Sequence, residues 1–193
     1  MRDMKRLFGR ALILSLFLCL AGIGTTAEAQ ERMTILATAR GTGTQMGKQY
    51  NVTIIIEQFS TLDDRKVLVD GFARSGQDGL VEALQKMSAK GRVRFSSGGV
   101  GNDVKYIIEL PSEKGRRFRL VTDRTLAWAE LTGLTRSEDY SVGAIELVLT
   151  PDGKGSGTLL PACKLKMDSK KQQVEIESYQ NPWNLLNIKT HKS

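Results

Sequence analysis

The chain has 193 residues, of which 28 are Lys or Arg and 21 are Asp or Glu, so its formal net charge at pH 7 is +7. Apolar residues make up 40% of the chain, which is enough for a packed core and argues against a disordered protein. With two cysteines and one histidine, a disulfide-rich scaffold is excluded and little material remains for metal binding or histidine-based catalysis.

The first 29 residues have the features of a cleavable signal peptide. Basic residues precede an uncharged apolar run, Ala11–Ile23, which suits a signal peptide and is shorter than the about 20 residues of a membrane-spanning helix. The A-x-A sequence Ala27–Ala29 follows, and cleavage there leaves Gln30 as the new N-terminus. We therefore expect residues 1–29 to be removed and the protein to be periplasmic or secreted. An uncleaved membrane anchor is the alternative.

The mature part, residues 30–193, is predicted to be a single domain. It has 164 residues, 24 of them basic and 19 acidic, and this size lets one domain bury about 70% of the surface of its unfolded chain. It contains no second apolar run of spanning length, so we expect no transmembrane segment in it. Its only cysteine, Cys163, is in phase with Leu165 and Met167, which predicts a buried structural thiol.

Alternation of apolar and polar residues dominates the mature chain and predicts antiparallel strands with one wet face. Turns rich in Pro, Asp and Gly separate the alternating runs, so residues 91–179 are predicted to form a meander. The predicted inward-facing sets are Tyr50, Val52, Ile54 and Ile56; Val93 and Phe95; Val104, Tyr106, Ile108 and Leu110; Phe118 and Leu120; Ile145, Leu147 and Leu149; Leu159, Cys163, Leu165 and Met167; and Val174 and Ile176.

Two segments, 62–72 and 77–87, have helical spacing instead. Ser60 or Thr61 can cap the first helix, and Ser75–Gly76 ends it. The predicted fold is therefore α+β: a mainly antiparallel curved sheet or half-barrel with a helix pair inserted after the second strand and about six or seven strands after the helices. Such a sheet hides its apolar face most simply by curling.

The C-terminal segment 179–188 is the most distinctive local sequence. Asn181 can cap a helix and Pro182 fits its first position. We expect a short helix there, whose apolar side chains, including Trp183 and Leu186, pack inward and clasp the sheet.

No catalytic or cofactor motif is supported by its context. The glycine-rich stretch 41–48 has a spacing like that of nucleotide-binding loops, but such loops open a helix and a strand follows here. His191 is the only histidine and lies near the C-terminus, a poor place for a general base. We expect no cofactor and no metal. A hydrolase that acts through an unrecognised pair of carboxylates is one alternative function.

Three aromatic residues are candidates for lining a ligand cavity: Trp128, Tyr106 and Phe118. Trp128 has small neighbours, Ala127 and Ala129, that leave room beside it, and the other two lie on apolar strand faces. They suggest the leading hypothesis, an exported, non-enzymatic binding module for a small apolar or envelope-derived ligand.

Five basic residues on polar strand faces form a candidate basic face: Arg92, Arg94, Lys105, Arg117 and Arg119. They can contact an anionic envelope component, lipid headgroups or nucleic acid, or they can form a solvated face balanced by cross-strand glutamates. The modest charge of the mature chain favours the balanced face, and no specific nucleic-acid partner is expected. A structural or interaction protein of the envelope that uses this face is the other alternative function.

Three segments, 39–48, 157–162 and 179–188, resemble a family of uncharacterised bacterial exported proteins. The likeness extends over most of the mature chain. It implies a bacterial host and an envelope or secreted location, and it implies no activity and no role for any residue.

Overall fold

The structure, a computed structural model, describes residues 32–96, 100–113, 115–126, 140–152, 154–168 and 170–192. Within them the chain forms nine strands, one α-helix and a short 3-10 helix at Gly43–Gln45. These elements are β1 Met33–Gly41, β2 Gln49–Ile56, α1 Leu62–Lys86, β3 Gly91–Phe95, β4 Asn102–Leu110, β5 Arg116–Thr122, β6 Val142–Leu149, β7 Gly155–Asp168, β8 Gln173–Gln180 and β9 Trp183–Lys192.

Eight of the strands close into a barrel. Their order is β6-β5-β4-β3-β2-β1-β9-β7, and β7 pairs back with β6, so the sheet has no gap between its first and last strand. Every pairing is antiparallel, and β3 to β8 follow one another as a meander. The predicted mainly antiparallel curved sheet is confirmed, with seven strands after the helical segment, but the curvature continues to full closure.

Closure depends on β7, which has different partners along its two halves. One edge of β7 pairs with β6, and the other edge pairs first with β9, over Gly157–Leu159, and then with β8, over Ala162–Asp168. The second half of β7 and all of β8 therefore extend beyond the ring as a hairpin.

Large apolar side chains fill the barrel interior. Trp183 and Phe118 are fully buried, and the Trp183 ring contacts Tyr50 with 5.6 Å between the ring centroids. Ala37 and Ala39 of β1 belong to the same cluster, and their small side chains leave room for the bulky ones opposite. Eight strands enclose a space that such side chains can fill, so the interior is a core.

A second apolar cluster lies on the outside of the barrel, beneath α1. The helix contributes Leu68 and Leu84, and the barrel wall contributes Tyr106 and Cys163. Strands β4 to β7 therefore bury both faces over part of their length. The predicted burial of Cys163 is confirmed.

The prediction that Val104, Tyr106, Ile108 and Leu110 share one face is wrong. The pairing of β4 with β5 shifts between Val104 and Tyr106, as at a β-bulge, and this shift reverses the phase of the strand. Val104 and Ile107 point into the barrel, whereas Tyr106 and Ile108 lie beneath the helix. Because both faces of β4 are apolar here, alternation alone does not reveal the bulge.

The predicted pair of separate helices is not observed, because both predicted segments belong to one kinked α-helix, α1, in the described chain. It begins with a capping box between Thr61 and Asp64, and its backbone leaves the helical conformation at Ser75 and Gly76. No helix in the part of the chain that the structure describes is long and apolar enough to cross a membrane.

The predicted C-terminal helix is also wrong, since this segment forms strand β9. Trp183 points inward as expected, but Leu186 is exposed. β9 pairs with β1 along its length and with β7 over Trp183–Leu185, and this tertiary pairing overrides the local helix signals of Asn181 and Pro182.

Replacing Gly157 by Ala is expected to lower the free energy of unfolding by about 1–3 kcal/mol, as other overpacking substitutions do. A Cβ atom there would lie 2.6 Å from the Glu146 carbonyl oxygen and 2.7 Å from Leu147 Cδ2, so β7 must move away from β6. Urea unfolding measures the effect. Ser156→Ala, at the exposed neighbouring position, should change stability by less than about 0.5 kcal/mol. Equal effects of the two substitutions would contradict the prediction.

Candidate functional site

A groove of about 610 Å³ runs over the outer wall of the barrel, beside the strands that close the ring. Outward-facing residues of β5, β6, β7 and β9 line it, and the loop between β4 and β5 forms one side. The lining residues are Pro111, Ser112, Glu113, Arg117, Glu146, Val148, Ser156, Gly157, Thr158 and Asn184. This volume lies within the range of small-molecule sites.

Strand register sets four polar residues in one row beside the groove. Arg119 of β5 is opposite Glu146 of β6, Glu146 is opposite Thr158 of β7, and Thr158 is opposite Asn184 of β9. Neighbouring strands lie about 4.8 Å apart, so the row presents a polar group at each step across the wall. The row exists only because β7 and β9 are paired.

Glu146 is the charged centre of the groove, held between two arginines. Its Oε2 accepts a hydrogen bond of 2.9 Å from Arg117 Nη2, and its Oε1 accepts one of 2.8 Å from Arg119 Nε. Arg119 Nη1 also donates to the Val174 carbonyl oxygen at 2.7 Å. Arg119, with only 10% of its side chain exposed, thus connects the barrel wall to β8.

The arginines hold Glu146 in its ionised form. Burial raises the pKa of Glu146, but hydrogen bonds and charge from Arg117 and Arg119 outweigh burial, and the pKa lies below its ordinary value of 4.5. A catalytic acid needs the opposite shift. In the described residues, each carboxyl group with a shifted pKa has it shifted downward: Asp64, Glu82, Glu109, Glu146, Asp152 and Asp168.

The chemistry that the groove offers is hydrogen bonding. Ser156 and Thr158 supply hydroxyl groups that donate and accept, and Asn184 supplies an amide that does both. Among the residues that the structure describes, no three His, Cys, Asp or Glu side chains converge to hold a metal ion. The Cys163 thiol is not a nucleophile, because burial raises its pKa to about 12.

A smaller cavity of about 320 Å³ lies at the end of the barrel where β1 begins. Its lining combines the apolar side chains of Met33 and Leu149 with Arg116. Arg116 lies over the Phe118 ring, 4.8 Å from the ring centroid, and donates to both carboxylate oxygens of Glu109, at 3.0 and 2.7 Å. This cavity is therefore more apolar than the groove, and its charge is paired.

The three aromatic candidates do not form one site in the described structure. Trp128 lies outside the described residues. Tyr106 lies on the outer side of the barrel beneath α1, where burial raises its pKa. Phe118 lies inside the barrel and stacks on Phe59 with 5.6 Å between the ring centroids. Tyr106 and Phe118 are on opposite sides of the barrel wall.

The five basic candidates divide into separate groups on β3, β4 and β5. Arg92 is opposite Asp103 of β4, whereas Arg119 is opposite Ile108, five residues further along the same strand, or about 17 Å. Most of these residues are balanced by acidic partners: Arg92 by Asp103 at 2.7 Å, Lys105 by Asp103 and Asp123 at 3.8 Å, and Arg117 and Arg119 by Glu146. Arg94 is exposed.

Sequence reasoning missed the polar residues of the groove, Ser156, Thr158 and Asn184. A hydroxyl or amide on the wet face of a strand is ordinary, and only the pairing of β7 with β9 sets these three side by side. The available signal was Ser156–Gly157–Thr158 itself, since a glycine inside a strand marks a close backbone approach.

Comparison of this chain with protein-family models, with curated proteins and with solved structures finds no match. The function proposed below is therefore argued from the geometry of this chain.

Glu146→Gln is expected to lower the free energy of unfolding by about 2 kcal/mol, because it leaves the nearly buried Arg119 guanidinium without a counter-charge. Glu109→Gln is the matched control, since Glu109 also pairs with an arginine through two hydrogen bonds but both partners are exposed. Its effect should stay below about 1 kcal/mol. Urea unfolding at pH 7 compares the two, and an equal loss would contradict the structural role of Glu146.

The ion pairs of Glu146 also predict how the stability of the protein depends on pH. Because the pKa of Glu146 is lower in the folded protein than its ordinary 4.5, the ionised carboxylate stabilises the fold above that pH. This contribution is lost as pH falls through the folded pKa. The difference in unfolding free energy between the wild type and Glu146→Gln should therefore shrink below pH 4.5, which denaturation between pH 3 and 7 measures. A constant difference would contradict it.

Proposed function

We propose that this protein is an exported, non-enzymatic binding module that holds a hydroxyl-rich, envelope-derived ligand in the outer groove. The observation that carries the proposal is the polar row of Glu146, Thr158 and Asn184 beside Ser156, in which hydroxyl and amide groups flank a carboxylate fixed by two arginines. Saccharide hydroxyls both donate and accept, and this set of groups provides partners for both.

The packing of the barrel supports a site on the wall. The inward-facing residues of the barrel strands form one apolar cluster, and its largest members, Trp183 and Phe118, are fully buried. The groove, in contrast, is open to solvent and its polar side chains are already held by strand register. A ligand can therefore enter it without rearrangement of the core.

The charges of the groove support binding without chemical conversion. Glu146 is held ionised by Arg117 and Arg119, so it accepts hydrogen bonds and has no proton to transfer at neutral pH. The same two arginines cannot act as bases, since they remain protonated.

Export is supported by the sequence of residues 1–29, with its basic start, apolar run and A-x-A site. The resemblance of three mature segments to bacterial exported proteins supports the same compartment. An exported module of this kind meets cell-envelope saccharides and their breakdown products.

A small apolar ligand at the barrel end is the second candidate. The cavity there is lined by Met33, Leu149 and Pro151, and Arg116 at its edge can meet a polar head of such a ligand. This candidate makes no use of the groove, so substitutions separate the two.

Thr158→Val combined with Ser156→Ala is expected to weaken binding of envelope oligosaccharides about tenfold, since each lost hydrogen bond costs about 1 kcal/mol or less. The oligosaccharides are released from the host envelope and titrated by calorimetry. Ser178→Ala on β8 is the matched control, because it removes a hydroxyl outside the groove lining, and it should leave affinity unchanged.

Native mass spectrometry of the protein purified from its host provides the complementary measurement. A retained saccharide and an N-terminus at Gln30 are expected. An apolar adduct that survives the groove substitutions would favour the barrel-end cavity. Cleavage of the oligosaccharide during the titration would contradict a non-enzymatic function.

A further inference from the structure

No described helix packs on the outer side of β3, β2, β1 and β9, and we refer to this side of the barrel as the open face. Helix α1 packs against β4, β7 and β8, away from this side. The outward-facing residues of the open face are Arg92 and Arg94; Gln49, Asn51, Thr53 and Ile55; Thr34, Leu36, Thr38 and Arg40; and Asn184, Leu186, Lys189 and His191.

The four strands of the open face contain no Asp and no Glu. Their neighbours differ, since β4 to β8 all carry acidic residues except β5, whose arginines pair with acids of β4 and β6. Among the ion pairs of the described residues, one balances a cation of the open face, Arg92 with Asp103 of β4. Arg40, Arg94 and Lys189 are exposed and form no ion pair with any residue that the structure describes.

Register sets the spacing of these three cations. Arg94, Thr53, Leu36 and Lys189 are partners in one row across four strands, so Arg94 and Lys189 are about 14 Å apart. Arg40 lies four residues from Leu36 along β1, or about 13 Å. The cations therefore border a patch of hydroxyl, amide and leucine side chains, with no opposite charge inside it.

We infer that the open face binds a linear polyanion, in which phosphate or carboxylate groups repeat along a flexible chain. Three cations spread over about 14 Å can each meet a separate anionic group of one chain, and each contact releases counterions. Thr38 and Thr53, which lie between these cations, donate hydrogen bonds to the anionic oxygens or to sugar hydroxyls.

Two other anionic partners, single-stranded nucleic acid and a lipid surface, fit the open face less well. Single-stranded nucleic acid is bound by stacking its bases on aromatic side chains, and none of the outward-facing residues of the open face is Phe, Tyr or Trp. A lipid surface is bound by apolar side chains that insert, whereas Leu36 and Leu186 are only 39% and 38% exposed on a convex wall. The open face meets the proposed saccharide groove at Asn184, but its argument does not depend on that groove.

The test measures binding of fluorescently labelled inorganic polyphosphate of defined length by anisotropy, over a series of salt concentrations. The variant Arg40→Gln/Arg94→Gln/Lys189→Gln removes the three unpaired cations. The control Lys66→Gln/Lys86→Gln/Lys154→Gln removes the same charge from exposed lysines that pair with acids elsewhere. Circular dichroism and thermal unfolding check that both remain folded.

The open-face variant should lose at least about tenfold in affinity at 0.1 M salt, and its plot of log affinity against log salt should flatten by roughly 2, at about 0.7 for each lost contact. The control should stay within about threefold. Arg94→Gln alone should cost about two- to fourfold, which keeps the proposal testable if the triple variant does not fold.

The inference is overturned if the wild type does not bind polyphosphate at low salt, or if both triple variants lose affinity equally. Binding of poly-uridylate more tightly than polyphosphate of equal charge would assign the face to nucleic acid. Binding of phosphatidylglycerol vesicles without binding of polyphosphate would assign it to a membrane. Either result contradicts the proposal.

Discussion

The pairing of β7 with β9 is the interaction on which the rest of the structure depends. Without these three residue pairs, the sheet would end at β9 with one edge of that strand unpaired, and the apolar inner face of the sheet would open to water. Gly157 allows the contact, because its missing side chain lets β6, β7 and β9 approach one another. The same pairing seals the core around Trp183 and brings Thr158 beside Asn184. Stability and the candidate site thus share one cause.

Closure of the barrel leaves its polar and charged side chains on the outer wall. The described inward-facing side chains form an apolar core, and the wall around it has three sectors. Beneath α1 the outward residues are apolar and buried, and in the groove the charges of Arg117, Arg119 and Glu146 are paired. On the open face, Arg40, Arg94 and Lys189 form no ion pair within the described part of the chain. An ion pair holds its polar groups in place and has little net charge, which suits a polar neutral ligand. An unpaired charge retains its attraction for anions, which suits a charged one.

Local patterns predicted the part of the fold that local interactions decide. Alternation and turn residues gave the meander, and Ser75–Gly76 marks the bend of α1 because glycine there adopts a positive φ of 57°. Longer-range features were not predictable. The strand at 183–192 is decided by partners that are remote in sequence, and the bulge before Tyr106 is hidden by apolar residues on both faces. The groove could not be foreseen, since Thr158 and Asn184 become neighbours only on closure.

The hairpin of β7 and β8 has one further consequence. A ring of strands has no free border, but β8 pairs with β7 alone in the described chain, so its opposite border offers unpaired amide and carbonyl groups. Such a border invites a strand from another molecule, and amyloid-like stacking starts in this way. Glu175 and Glu177 on β8 pair with Lys171 and Lys164, so charged side chains of both signs line this strand. Charged side chains on an edge strand disfavour edge-to-edge association, and those of β8 act in this direction.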